Sequence, residues 1–178
     1  MNKIAIALST AMALGAVSSA NAQSGTINFT GNVTAVTCDV SFNGAAGDSP
    51  TITLPTVATA SLAAGSSAGK TPITVQIGGS DAQCTSGSVA LELNPNRTAA
   101  VTDGRLNNTD ASPAENVVVA LRDSQDRLID LSAPWSSERV DLGAGGAELT
   151  FAGEYYAAGG NATAGGVTAG VQYTLNYR

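Results

Sequence analysis

Small polar and apolar residues alternate along residues 25–38, which read GTINFTGNVTAVTC. The even-numbered positions from 26 to 34 are all threonine or asparagine. A period of two is typical of a β-strand with one buried face, and β-branched residues suit an extended backbone. The strand can bury this face in its own domain or in a neighbouring subunit. The face consists of Ile27, Phe29, Gly31, Val33 and Ala35.

A second stretch of alternation occupies residues 167–178, at the end of the sequence. The period of two predicts one long amphipathic strand. Because an unpaired edge strand promotes aggregation, we expect another segment of polypeptide to lie beside it. The apolar and aromatic positions of this stretch are Val167, Ala169, Val171, Tyr173, Leu175 and Tyr177.

Between these two stretches, short apolar runs alternate with segments rich in Gly, Asp, Asn and Ser. This arrangement is typical of an all-β domain. The segment 94–116 is predicted to be a surface loop that contains short pieces of strand. The other predicted strands are residues 38–42, 51–57, 71–78, 88–93, 117–122, 128–131 and 148–157.

The first 22 residues are predicted to be a targeting segment. Lys3 precedes an apolar run at residues 4–17, and Ala20 and Ala22 offer small residues at the cleavage positions of a signal peptide. A membrane anchor is the alternative, but this run is too short for a bilayer core of roughly 30 Å. We therefore expect an exported chain with an N-terminal extension at 23–37 and one domain at 38–178.

The two cysteines of the sequence are Cys38 and Cys84. An even pair in an exported protein is most simply one disulfide. Two thiols in a chain without histidine are too few ligands for a metal site. The sequence therefore predicts a disulfide between Cys38 and Cys84.

The absence of histidine from the sequence excludes several kinds of chemistry. Ser-His-Asp and Cys-His catalysis both require this residue, and no cofactor is expected. The net charge of -6 argues against binding to nucleic acid or anionic membranes, which needs clustered Lys and Arg. The aspartates fall mostly in predicted turns, where solvation is their usual role.

Five features of the sequence occur together: the predicted signal peptide, the alternating extension that ends at Cys38, the second cysteine, the penultimate Tyr177 in VQYTLNYR, and Gly165, fourteenth from the end. In this combination the chain resembles pilin subunits of the chaperone-usher pathway, the bacterial family that includes type 1 and P fimbriae. The five features together cover essentially the whole chain after the signal peptide.

The resemblance implies an incomplete immunoglobulin-like β-sandwich, the pilin fold, which is completed by a donor strand. It implies that a periplasmic chaperone first lends this strand, and that identical or related subunits later donate theirs at an outer-membrane usher. The donor residues would be Ile27, Phe29, Gly31, Val33 and Ala35. The C-terminal strand that flanks the groove and contacts the chaperone would include Gly165, Val171, Tyr173, Leu175, Tyr177 and Arg178, with the carboxylate of Arg178 as an anchor.

We therefore expect a structural subunit of an adhesive fimbria, exported through the periplasm to the cell surface, and not an enzyme. One alternative is a self-contained secreted β-sandwich that binds carbohydrate or another ligand, with its N-terminal strand in its own sheet. A second alternative is a secreted hydrolase with two catalytic carboxylates in a cleft formed by residues 94–116.

Overall fold

The structure is a computed structural model that describes residues 38–47, 49–79, 84–95 and 101–178. The chain divides into two compact units, Met1–Asn32 and Val33–Arg178, and every described residue belongs to the second. The predicted signal peptide and the predicted donor residues lie outside the described residues. In the described part of the chain, no helix is long and apolar enough to cross a membrane.

The described residues form an all-β domain with one turn of 3-10 helix at Thr59–Ser61. Short apolar runs bounded by glycine and aspartate turns become its strands, as the period of two predicts. The strands in chain order are β1 (Val40–Phe42), β2 (Ala45–Ala46), β3 (Ser67–Ile77), β4 (Ser88–Asn94), β5 (Val101–Thr102), β6 (Arg105–Asn107), β7 (Val117–Arg122), β8 (Trp135–Ser136), β9 (Val140–Asp141), β10 (Ala147–Ala157) and β11 (Gln172–Tyr177).

The described strands pair in two antiparallel sheets. The larger has the order β2-β1-β3-β10-β7-β6-β5, and the smaller has the order β11-β4-β8, with β9 also paired to β4. The longest pairing joins β3 to β10, and a register shift interrupts it between Gly153 and Tyr155. In the smaller sheet, β11 is the terminal strand, and β4 is the strand with which it pairs.

The larger of two hydrophobic clusters among the described residues lies between the two sheets. Alternate residues of β3 point into it from the larger sheet, namely Ile73, Val75 and Ile77. Val89 and Leu91 of β4 meet them from the smaller sheet, and both are at most 1 % exposed. The domain is therefore a β-sandwich in which each sheet buries one face against the other.

The predicted disulfide between Cys38 and Cys84 is confirmed, and the Cα atoms of the two residues are 5.8 Å apart. It links the residues just before β1 to the segment that leads into β4. Gly78 packs against it so closely that a Cβ there would lie 2.9 Å from the Cβ of Cys84. The backbone of Gly78 also has a φ of +72°, which L side chains rarely adopt.

The predicted strands at 88–93, 117–122 and 148–157 agree with β4, β7 and β10 to within one residue. The prediction of a strand at 128–131 was wrong. Leu128 makes one bridge, to Arg122. Ile129 and Leu131 are buried as the chain leaves the larger sheet for β8.

The prediction of a strand at 51–57 was wrong, and the strand predicted at 167–178 was wrong in its extent. Residues 51–57 belong to no strand, and residues 167–171 precede β11, which begins at Gln172. In both segments the alternation of side chains is nevertheless real, since apolar residues of both pack against the core. A strand also needs a hydrogen-bonded neighbour, and an apolar groove separates these two segments.

Candidate functional site

An apolar groove with a volume of about 1120 Å³ opens along one side of the sandwich. Its two flanks are residues 49–54 and 167–177, and its floor consists of core side chains from both sheets. None of the described residues that line it carries a charged side chain. The apolar lining side chains include Val40, Phe42, Ile52, Leu54, Ile73, Leu91, Leu93, Leu106, Val119, Leu121, Phe151, Val167, Ala169, Val171 and Leu175.

The outer edge of β11 borders the groove. Ser88 and Arg178 exchange two backbone hydrogen bonds of 2.8 and 2.9 Å. Hydrogen-bonded and non-hydrogen-bonded pairs alternate along an antiparallel ladder, so the backbone groups of Leu175 and Tyr177 point away from β4. This edge has the geometry that a further strand needs for pairing.

The opposite flank, at residues 49–54, includes the extended segment 51–54. Ile52 and Leu54 are half-buried against the core and line the groove, while Thr51 and Thr53 are exposed. The groove thus lies between two extended segments whose apolar side chains both point into the sandwich. Its interior is hydrocarbon.

The floor of the groove is narrow where two aromatic rings meet, and it includes a glycine elsewhere. The rings of Phe42 and Tyr173 meet edge to face with their centroids 5.0 Å apart. A Cβ added at Gly153 would lie 3.7 to 3.8 Å from the side chains of Leu54, Ile73 and Leu121. The buried Gly153 therefore has room for a Cβ in ordinary van der Waals contact with these side chains.

Three tyrosines line the groove, and burial affects the pKa of two of them. Burial raises the pKa of the Tyr155 hydroxyl. Burial also raises the pKa of Tyr177, although a hydrogen bond from the backbone of Cys38 partly opposes this effect. Since both shifts favour the neutral phenol, these two side chains remain uncharged at physiological pH. The bond to Tyr177 also puts the start of the domain, at Cys38, beside the last residues of β11.

Four of the residues predicted for the C-terminal strand line the groove: Val171, Tyr173, Leu175 and Tyr177. Gly165 lies before β11 and packs against the backbone of Pro113 and Ala114. Arg178 follows β11, and its backbone pairs with Ser88. The proposed contacts of these residues with a chaperone stay predictions.

Sequence reasoning missed two residues of this region. Gly153 carries a recognisable signal, because an isolated glycine inside a strand pattern indicates a bulge or a close approach. Asn108 lies in a segment that was predicted to be an irregular loop, and no local pattern distinguishes it from the other asparagines there.

In the described part of the chain, no three His, Cys, Asp or Glu side chains lie close enough together to hold a metal ion. The site is instead an uncharged apolar groove. Hydrogen-bonding groups of the β11 backbone stand at its edge, and hydrocarbon forms its interior. Such a surface can accept a β-strand, with main-chain bonds for affinity and pockets for alternate side chains.

A β-sandwich with an apolar groove beside an edge strand is the architecture expected of a pilin-like subunit. The family model described as Fimbrial protein matches residues 27–178 of the chain. The Major fimbrial subunit SMF-1 of Stenotrophomonas maltophilia (strain K279a) is 38% identical, over 89% of this chain and 95% of that protein. The F17 fimbrial protein of Escherichia coli is 34% identical, over 88% of this chain and 89% of that protein.

Among solved structures, the P pilus rod subunit PapA is similar in fold, with a TM-score of 0.58 at 14% identity. The match covers 80% of this chain and 100% of that one. The chain belongs to the fimbrial protein family.

Proposed function

We propose that the subunits polymerise head to tail, with residues 23–37 of one copy occupying the apolar groove of the next. The observation that carries the proposal is the uncharged groove beside the outer edge of β11. The same chain has an alternating segment of matching chemistry, since residues 27–35 present one apolar face. These nine residues are no longer than the eleven-residue flank at 167–177.

In this arrangement Ile27, Phe29, Val33 and Ala35 point into the groove, and Gly31 lies where it is narrow. Each large apolar side chain contributes roughly 1.5–3 kcal/mol when it is fully buried. Backbone bonds to Leu175 and Tyr177 fix the register. Donation from one copy to the next is a heterologous contact that does not close, so it generates a filament.

Before assembly, the groove is occupied by a strand from a periplasmic chaperone. This step follows removal of the signal peptide at residues 1–22 and precedes assembly at an outer-membrane usher. Gly165, Val171, Tyr173, Leu175, Tyr177 and Arg178 are the proposed contacts. A bound strand also shields the apolar floor, which would otherwise promote aggregation.

The proposal is tested by exporting the full chain to the periplasm, alone and with its chaperone, and measuring oligomer size and resistance to SDS. Phe29→Asp and Gly31→Asn should abolish the heat-sensitive ladder of oligomers. Thr30→Asp is the matched control, because it adds the same charge to the polar face of the same strand and should preserve the ladder.

A soluble, folded monomer from wild-type protein expressed without a chaperone would contradict the proposal. The chain would then keep its N-terminal strand in its own sheet, as a self-contained sandwich does. A ladder that persists in Phe29→Asp would also exclude donation by this strand.

A further inference from the structure

The flank of the groove that includes β11 is supported in two different ways along its length. From Gln172 onward it is paired with β4. Residues 167–171 also line the groove, but they precede β11 and pair with no described strand. Something other than the smaller sheet must hold this half of the flank in its extended form.

Asn108 is the centre of the structure that holds it. Its Nδ2 donates to the carbonyl of Gly166 at 2.8 Å and to that of Ala114 at 3.3 Å. Its Oδ1 accepts the backbone N–H of Thr168 at 3.0 Å. The side chain of Asn108 thus binds both a backbone carbonyl group and a backbone N–H group within residues 166–168.

Thr168 is held on the outer side of the same segment. Its hydroxyl donates to Oδ2 of Asp110 at 2.9 Å, and its carbonyl accepts the backbone N–H of Thr109 at 2.8 Å. Successive side chains of an extended segment point to opposite sides. Holding Thr168 outward therefore directs Val167 and Ala169 into the groove, where both are half-buried.

Two glycines permit this close approach. Gly166 forms a parallel bridge with Pro113, and a Cβ on Gly166 would collide with the carboxylate of Asp110. A Cβ on Gly165 would collide with the backbone of Ala114. We call the packed contact between residues 108–114 and 165–168 the lock. It has no room for a side chain at either glycine.

We infer that Asn108 is a positioning residue for strand acceptance, which preorganises the half of the groove flanked by Val167 and Ala169. The inference rests on the proposed function. Asn108 does not contact the donor strand in this scheme. It lowers the cost of binding because the flank is already extended when the donor arrives.

The test is a double-mutant cycle in fibres assembled from the full chain, read as the half-time of disassembly in SDS at fixed temperature. Asn108→Ala should shorten the half-time about tenfold, equivalent to about 1.4 kcal/mol. The same change is then combined with Ile27→Ala or with Val33→Ala. These two substitutions truncate apolar side chains toward opposite ends of the proposed donor strand. A residue that supports one half of the groove should couple to one donor end.

In the donor variant that couples to Asn108, adding Asn108→Ala should shorten the half-time less than about twofold. In the other donor variant, it should still shorten the half-time about tenfold. Effects that add in both combinations would identify a merely structural role and overturn the inference. So would coupling to both ends, or no effect of Asn108→Ala. Asn161→Ala is the matched control. The Asn161 side chain also accepts a backbone hydrogen bond, from the Ala64 N–H at 3.0 Å, but it does not line the groove.

Thr168→Val repeats the cycle with a change of similar shape if Asn108→Ala fails to fold. It removes the bond to Asp110 and should couple to the same donor end. If wild-type chains form no SDS-resistant fibres, or neither donor substitution shortens the half-time, the proposed function itself fails. That result is distinct from additive effects in fibres that do form.

Discussion

The rings of Phe42 and Tyr173 meet edge to face, with their planes at 64° and their centroids 5.0 Å apart. Phe42 ends β1 in the larger sheet, and Tyr173 lies in β11 of the smaller one. Both residues line the groove. The two sheets are therefore joined by an aromatic contact at the place where the sandwich lacks a strand.

Replacing Phe42 with alanine should strongly destabilise the domain. Its side chain is 4 % exposed, and Phe→Ala changes in cores cost about 3–5 kcal/mol. The free energy of unfolding is measured by denaturant titration. Phe42→Leu is the control, since it keeps an apolar side chain of similar size and should cost less than about 1.5 kcal/mol. Equal losses in the two variants would mean that the volume at this site is not what matters.

The strands of the sandwich were largely predictable from the sequence. β4 and β7 alternate or are continuously apolar between clear turn residues, so their positions follow from local pattern. Residues 51–57 and 167–171 show the same alternation but pair with no described strand. A period of two indicates that one face of a segment is buried. It does not indicate whether the backbone of that segment pairs with a neighbouring strand.

The groove was predictable in part. Val171, Tyr173, Leu175 and Tyr177 were assigned to it through alternation and through the resemblance to pilins. The lock that holds Val167 and Ala169 in place was not found, because Asn108 and Thr168 are 60 positions apart. Neither residue has a distinctive neighbour in the sequence, and only the tertiary fold brings their polar groups together.

Substitution of Arg122 should lower the free energy of unfolding more than substitution of Glu154. Nε of Arg122 lies 2.7 Å from the Glu154 carboxylate, whose side chain is 6% exposed while that of Arg122 is 28% exposed. Arg122→Met leaves a buried carboxylate without its cation, which should cost about 3 kcal/mol of unfolding free energy. Glu154→Gln should cost only about 1 kcal/mol, because Arg122 still reaches water and the carbonyl of Asp126.

The double variant Arg122→Met with Glu154→Leu provides the control for that pair. Removing both charges should be less destabilising than Arg122→Met alone, since no unpaired charge stays buried. Thermal unfolding of the three variants distinguishes these cases. A double variant less stable than Arg122→Met would show that packing dominates over the ion pair.

Acid should weaken the lock beside the groove through Asp110. Hydrogen bonds from the Ser112 backbone and from the Thr168 hydroxyl hold the pKa of Asp110 below its ordinary value of 3.8. A lowered folded-state pKa stabilises the fold above the unfolded-state value, and this contribution is lost as the pH falls through the folded-state value. Stability should therefore decline below about pH 4, with part of the decline due to Asp110.

Asp110→Asn should reduce that acid-sensitive part, because asparagine keeps an acceptor oxygen without a titrating proton. The measurement is the unfolding free energy as a function of pH in the acid range. Asp141→Asn, at the end of β9 and away from the lock, should keep the wild-type slope. An Asp110→Asn curve parallel to wild type would rule out this assignment.

Filling the floor of the groove at Gly153 should block polymerisation without unfolding the subunit. No left-handed backbone conformation is required there, and a Cβ would make ordinary contacts of 3.7 to 3.8 Å. Gly153→Ala should therefore fold and assemble like wild type. Gly153→Leu extends into the space that the donor strand is proposed to fill, so assembly into SDS-resistant oligomers should be lost. The Leu variant should still be recovered as a folded subunit, judged by its far-UV circular dichroism and its intact disulfide. A Leu variant that assembles as wild type does would mean that no donor side chain enters the groove beside Leu54 and Leu121.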